Sequence, residues 1–365
     1  MKIAILHYYQ GSVDRGAETF VHHLAKRLAK DSDLVVFQGG EVKSNLPFKA
    51  IQKYPDQGKY PDDDLPVAHI LKRLFLDSRK RAEFIFTLKC LSDLVRFRPD
   101  IVIPLNSGWQ ALIVSVLSRF LGATTVIPGE SGPGWNDRWN LWVKPHVFVA
   151  LTNRQKKWAE KASLWKSTQI VKIPNGVDLD QFNPAGKKKR LALQKPIILL
   201  VGATIPSKRV EEGIAAVSKL NKGSLLLLGT GPGDKRVDKL GYKMLGKDRF
   251  LHLSVSHHDM PLYYRSADLF TLCSDSSEAF GIVYLEALAS GLPCVAPDDA
   301  SRREIVSSAG VFVKNPDDKS EYSQAISQAL KKKWGQTPLK QAQKFSWNKV
   351  SGEYLSLFKA CSQRL

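Results

Sequence analysis

Short apolar runs alternate with amphipathic stretches along most of the chain. Residues 3–6 (Ile-Ala-Ile-Leu) read as a strand that begins at once, residues 17–29 as a helix, and residues 34–37 as a second strand. Residues 101–104, 110–120 and 124–127 repeat strand, helix, strand, and residues 147–151 and 169–173 flank a basic helical stretch. This alternation predicts an α/β doubly wound sheet. The pattern pauses at Asn175-Gly176-Val177-Asp178, where Asn-Gly marks a turn. Pro184-Ala185-Gly186-Lys187-Lys188-Lys189-Arg190 reads as linker or exposed helix start. Strand-like runs then resume at residues 196–201, 224–228, 250–253, 269–272, 294–296 and 311–313. At the end, Val350, Tyr354, Leu355 and Phe358 lie at helical spacing.

The expected division is a Rossmann-like domain over residues 1–180, a second over 181–344, and a C-terminal helix over 345–365 packing back toward the first. Two such domains facing each other would put a cleft between the carboxyl ends of two sheets, where ligands of these folds bind near helix N-termini.

The length of 365 residues suits two domains. Met1-Lys2-Ile3-Ala4-Ile5-Leu6 has no long apolar core and does not read as a signal peptide. The longest apolar candidate, residues 108–127, is broken by Arg119, so no membrane span is expected. Four cysteines without a C-x-x-C suggest reduced thiols and a cytoplasmic location. The charge is unusual: 54 Lys and Arg against 35 Asp and Glu give +19, which suits a polyanion, an anionic membrane or an acidic substrate. No zinc-finger, RNP or basic-zipper motif supports nucleic acid as the partner. Lys72, Arg73, Arg79, Lys80, Arg81, Lys89, Arg96 and Arg98 are interleaved with Leu74, Phe75, Leu76, Phe84, Ile85, Phe86, Leu88 and Leu91. This reads as one or two amphipathic helices, either with ordinary solvated basic faces or lying on the inner, anionic face of a membrane.

Several motifs fail. The loop from Gly11 to Gly16 lacks the G-x-G-x-x-G spacing, and there is no Walker A loop. Asp31-Ser32-Asp33 precedes a strand rather than following one, so no metal site is expected there. His22-His23 and His257-His258 have no acidic or cysteine partners at ligand spacing and read as surface or capping residues. One segment is far more specific. From Ser277 to Val295, a loop carrying Glu278 enters a helix through Phe280-Gly281, Glu286 follows eight positions after Glu278, and the helix ends at Gly291-Leu292-Pro293 before a strand. A glycine at a helix start lets a ligand approach free amides and the positive end of the helix dipole. Glu278 could accept sugar hydroxyls, and Glu286 could hold ribose hydroxyls. The plainer alternative is a capped amphipathic helix with two exposed glutamates.

This segment resembles the E-x7-E signature of glycosyltransferase family 4, retaining enzymes of the GT-B fold. Arg15-Gly16-Ala17-Glu18 resembles the family's glycine-rich loop after the first strand, and Asn175-Gly176-Val177-Asp178 its N-G-V-D turn. Val201-Gly202 with Lys208-Arg209, Ser266-Ala267-Asp268-Leu269 and Phe345-Ser346-Trp347 resemble later family segments in the same order. The resemblance implies a GT-B enzyme that transfers a sugar from a nucleotide-diphosphate sugar to a carbohydrate or lipid-linked acceptor, with no further cofactor. It implies Lys208 on the diphosphate, Gly16 amides near the donor phosphates, Glu278 with the Phe280 and Gly281 amides against the sugar, and Glu286 on the ribose. The family's usual arginine after the strand glycine is Ala203 here, and Arg209 could take its place. The acceptor-side loop carries no histidine, and Glu130 or Ser131 stands nearest that position. A front-face mechanism needs no protein base, so this loss does not exclude activity. A catalytically silent nucleotide-sugar scaffold and a nucleotide-sugar epimerase remain the alternatives.

Overall fold

The structure is a computed structural model that describes residues 1–12, 16–55 and 68–363. The chain forms two compact units, one built from residues 1–175 and 347–365, the other from 176–346. The divisions fall slightly outside the ends of the second sequence domain. The reason is local: Val177 N donates to Phe345 O at 2.8 Å, and Val177 bridges Ser346. The turn after Asn175 and the segment before Trp347 are thereby tied into the second unit.

Unit 1 holds a seven-stranded sheet in the order β3-β2-β1-β4-β5-β6-β7, with every pairing parallel. Its strands are β1 (Lys2–His7), β2 (Asp33–Gln38), β3 (Lys49–Gln52), β4 (Ile101–Pro104), β5 (Thr124–Pro128), β6 (Val147–Ala150) and β7 (Gln169–Lys172). The crossovers carry α1 (Gly16–Leu28), α2 (Ala68–Arg73), α3 (Ser78–Phe97), α4 (Trp109–Leu121), α5 (Trp135–Trp142) and α6 (Asn153–Ala162). Side chains alternate across β1 as a strand requires. Ile3 and Ile5 face a core with Phe20 and Leu24 of α1, while Ala4 and Leu6 face Phe86, Cys90 and Leu94 of α3. The basic stretch is two helices. α3 starts at Asp77, whose carboxylate caps Lys80 N at 3.1 Å. It buries Ala82, Phe86, Cys90 and Leu94 and turns Arg81, Ile85, Leu88, Lys89 and Val95 outward. β3 carried no sequence signal, because it is a four-residue edge strand that is only half-buried.

Unit 2 holds a six-stranded parallel sheet in the order β10-β9-β8-β11-β12-β13. Its strands are β8 (Ile197–Val201), β9 (Ser224–Leu228), β10 (Phe250–Leu253), β11 (Leu269–Thr271), β12 (Cys294–Pro297) and β13 (Gly310–Val313). Its helices are α7 (Val210–Ser218), α8 (Asp234–Leu245), α9 (Met260–Tyr264), α10 (Ile282–Ala289), α11 (Ala300–Val306), α12 (Lys319–Lys331) and α13 (Thr337–Gln343). Residues 187–194 form no helix. Their backbone is spent on α9 and its end instead: Lys189 N donates to Leu262 O at 3.1 Å, and Arg265 Nε donates to Lys187 O at 2.9 Å.

The last helix, α14 (Trp347–Ser362), belongs to unit 1. Trp347 and Tyr354 each pack against Phe20 with ring centroids 5.8 Å apart, and Val350 and Phe358 fill the same core. Among the described residues, no helix is long and apolar enough to cross a membrane. Removing the buried Trp347 ring opens a cavity under α1. Trp347→Ala should cost about 3–5 kcal/mol, read as a lower urea midpoint for unit 1. A midpoint equal to that of the parent would mean α14 contributes little to this core.

Candidate functional site

In a doubly wound sheet the crevice lies at the carboxyl ends of the strands where winding reverses. In unit 2 these are β8 and β11. The loop leaving β8 makes a 3-10 turn over Pro206–Lys208, and the loop leaving β11 runs through residues 272–281 into α10. Asp275 N donates to Ser207 O at 2.8 Å, stitching the two loops together. Lys208 Nζ then forms a short ion pair with Glu278. The structure therefore joins two residues that the sequence had placed in separate roles.

The loop that carries Glu278 is internally fixed. Ser277 N donates to Asp275 Oδ1 at 2.8 Å. Burial pushes the Asp275 carboxyl up, but hydrogen bonds from Ser277 and the charges of Arg209 and Arg302 hold it below the usual carboxylate range. Arg302, on α11, is fully buried. Its guanidinium reaches Ser274 Oγ and Asp275 O, each at 3.1 Å, and pairs with Asp299 at 3.2 Å. Nothing local in the sequence marked Arg302. Its signal would have been a cation set into a helix that otherwise packs as core.

Gly281 caps α10 with φ +87°, and a Cβ there would lie 2.8 Å from the Tyr284 ring. A side chain is excluded on both counts. Phe280 turns its ring inward against Phe345, leaving its backbone for any ligand. Glu286 is buried rather than exposed: Tyr264 OH donates to Oε2 at 2.8 Å and His257 Nε2 lies 3.1 Å from Oε1. His257 thus has an acidic partner that its sequence neighbours did not reveal. Arg209 has left-handed backbone, φ 50°, and its guanidinium pairs with Asp317 at 3.5 Å. The structure shows it engaged there and not with Glu278.

The other site residues lie in unit 1. Gly16 opens α1, while Arg15 lies outside the described residues. Behind it, Glu18 Oε1 and His7 Nε2 are 3.0 Å apart, both residues buried. Glu130 follows β5. Asn175 Nδ2 donates to its Oε2 at 3.0 Å, and its Oε1 is buried without a hydrogen-bond partner. Burial raises the Glu130 carboxyl to about 7, the bond from Asn175 opposing and the charge of Glu18 adding. Asp137 on α5 shapes the same loop. It accepts from Asn140 Nδ2 at 3.2 Å and Gln155 Nε2 at 3.0 Å, and Gln155 Nε2 also donates to Gly129 O at 2.6 Å. Burial pushes Asp137 up to about 8. Among the described residues, no group of three His, Cys, Asp or Glu side chains is placed to hold a metal ion.

Residues 183–349 match the family described as glycosyl transferases group 1. Among curated proteins, the chain is 22% identical over 238 residues to the sulfoquinovosyl transferase of Arabidopsis thaliana, covering 57% of this chain and 44% of that one. It is 31% identical over 161 residues to the phosphatidyl-myo-inositol mannosyltransferase of Mycobacterium tuberculosis, covering 42% and 41%. The chain thus spans less than half the length of these relatives. Among solved structures, sucrose-phosphate synthase of Thermosynechococcus elongatus superposes over 100% of both chains with TM-score 0.82 at 18% identity. Anabaena HepE in complex with UDP and glucose covers 99% of this chain and 100% of its own, with TM-score 0.73 at 15% identity. The two-sheet architecture is that of GT-B proteins.

Glu130 and Asp137 bind protons more tightly in the folded unit than in the unfolded chain. Their contribution to stability is therefore present at low pH and is lost as pH rises through about 7 and about 8 respectively. Urea midpoints of the whole chain measured from acid to mildly alkaline pH should fall on this account. Glu130→Gln should remove the part of the fall that runs from the ordinary carboxylate range and ends near 7. An identical pH profile in this variant would contradict the assignment.

Proposed function

We propose, from the match of residues 183–349 to the glycosyl transferases group 1 family, that the protein is a retaining glycosyltransferase. It takes a hexosyl group from a nucleotide-diphosphate sugar and passes it to a carbohydrate or lipid-linked acceptor, with no essential metal. The observation that carries this reading is the Lys208–Glu278 pair at the carboxyl ends of β8 and β11, one turn from the start of α10. Support for the donor class comes from Anabaena HepE, solved with UDP and glucose.

In this reading the diphosphate replaces Glu278 as the partner of Lys208. The ammonium then faces the oxygens on which charge grows as the sugar–phosphate bond breaks. Glu278, released, accepts hydroxyls of the sugar, and the amides of Phe280 and Gly281 lie beside it. Glu286 accepts the ribose hydroxyls. The acceptor oxygen bonds to the anomeric carbon on the face the diphosphate leaves, and its proton passes to a departing phosphate oxygen. Gly16 amides serve the donor phosphates, and Glu130 is placed on the acceptor side, where a carboxyl raised to about 7 can exchange a proton near neutrality. Arg209 strengthens the positive field of the Lys208 turn.

The acceptor side also supports attachment to an anionic membrane. Of the twelve large hydrophobic side chains that stand exposed among the described residues, ten belong to unit 1. Ile85, Leu88 and Val95 share the outward side of α3 with Arg81 and Lys89, the arrangement of an interfacial helix. A phosphatidyl-myo-inositol mannosyltransferase among the relatives agrees with a lipid acceptor.

Donor binding is tested by a thermal-shift panel of UDP-, GDP- and ADP-sugars. At least one should raise the melting temperature, and no shift with any would overturn the donor class. Lys208→Ala should then lower turnover by about 100- to 1000-fold. Near-normal turnover removes Lys208 from the mechanism, and tight donor binding without turnover or hydrolysis in the parent would favour a silent scaffold. In flotation assays, vesicles with phosphatidylglycerol should carry the protein at low salt, releasing it at high salt. Equal recovery with neutral vesicles would argue against charge-driven attachment.

A further inference from the structure

Glu286 is held more tightly than a simple ligand-facing carboxylate needs. Tyr264 OH donates to Oε2 at 2.8 Å from beneath, and His257 Nε2 meets Oε1 at 3.1 Å from the side. A carboxylate oxygen accepts, so the ring nitrogen is the donor. The Glu286 side chain is 5% exposed and that of His257 25%, so the histidine edge is the side a ligand can reach. His257 is itself held from the start of unit 2. Asp178 Oδ1 accepts from Gln181 N at 3.2 Å, and Gln181 Nε2 donates to His257 O at 3.2 Å. Phe182 sets its ring edge-on to both His257 and Tyr264, at 5.5 and 5.6 Å. The turn at Asn175–Asp178 therefore acts through Gln181 and Phe182 on one carboxylate more than a hundred residues away.

We infer that His257 is a positioning residue that sets the preference of Glu286 for a vicinal diol, and so for a ribonucleotide over its deoxy analogue. The inference rests on the reading of Glu286 as the ribose carboxylate and adds to it. Two hydroxyls on neighbouring ring carbons can donate one to each carboxylate oxygen only if the carboxylate plane is fixed. With Tyr264 alone, a single hydrogen bond leaves the carboxylate plane free to rock about the last side-chain torsion, both oxygens moving together. With His257 in place, both oxygens are pinned and each keeps an acceptor direction for one hydroxyl. A ligand that lacks one hydroxyl leaves a carboxylate oxygen facing nothing, and loss of a hydrogen bond to a charged group lowers affinity by about tenfold or more.

The test is calorimetric titration of the full chain with UDP and 2′-deoxy-UDP, repeated with GDP and 2′-deoxy-GDP. The parent should prefer the ribonucleotide by about tenfold or more. His257→Ala should abolish most of that preference by weakening the ribonucleotide while leaving the deoxy form nearly unchanged. His257→Gln, which keeps a donor, should restore part of it. A merely structural loss would weaken both nucleotides alike, and that result, or an undiminished preference in His257→Ala, overturns the inference. Glu286→Ala separates this failure from a failure of the underlying reading. If that variant keeps the ribose preference, Glu286 is not the diol acceptor. If it loses the preference while His257→Ala does not, only the role of His257 falls.

Discussion

Parallel strands joined by right-handed crossovers leave a gap wherever the winding changes direction, because no crossover helix can cover the two strand ends there. In unit 2 the gap lies between β8 and β11, and everything chemical in that unit follows from it. The loops that leave those strands are free to approach one another, and the bond from Asp275 N to Ser207 O at 2.8 Å closes them together. Lys208 and Glu278, 70 positions apart, meet because connectivity gives them no alternative. In unit 1 the same reversal lies between β1 and β4, and it gathers His7, Glu18 and Asn106.

The Glu278 loop of unit 2 and the Glu130 loop of unit 1 hold their carboxyl groups by different physics. In unit 2, Glu278 has an ammonium, and Asp275 lies under the influence of Arg209 and Arg302. In unit 1, Glu130 and Asp137 are held by neutral amide donors, Asn175, Asn140 and Gln155, within a desolvated pocket. Amide donors offset burial only in part, so these two groups retain protons to about 7 and about 8. The Glu278 loop is built around fixed opposite charges and the Glu130 loop around exchangeable protons. Arg302 marks the cost of the first arrangement: a buried cation stripped of its partners destabilises by about 3–5 kcal/mol, so Asp299 and the backbone of the 272–281 loop must stay in place around it.

The strands were legible because each is a run of aliphatic residues between turn signals. The Glu278–Glu286 spacing was legible because both residues sit in one continuous segment. β3 escaped, since an edge strand with half-buried residues has no such run. Arg302, Asp137 and Gln155 escaped for another reason: their partners come from other elements, and chain spacing says nothing about which loops a sheet brings together. His257 is the plainest case. Its neighbours in sequence offer no metal-like pattern, yet Glu286, 29 positions on, completes a hydrogen bond with it. Arg209, adjacent to Lys208 in sequence, has left-handed backbone at φ 50° and pairs with Asp317 at 3.5 Å, a partner that chain spacing did not reveal.

The return of α14 to unit 1 orders events during synthesis. The side of α1 around Phe20 rests on β1 early but is not fully covered until Trp347, Val350 and Tyr354 arrive, and all of unit 2 is translated in between. At elongation rates of about 5–20 residues per second, that apolar face waits about 15–65 s for its cover while unit 2 can already close its own sheet. Unit 1 therefore completes its packing only after the whole of unit 2 has been synthesised.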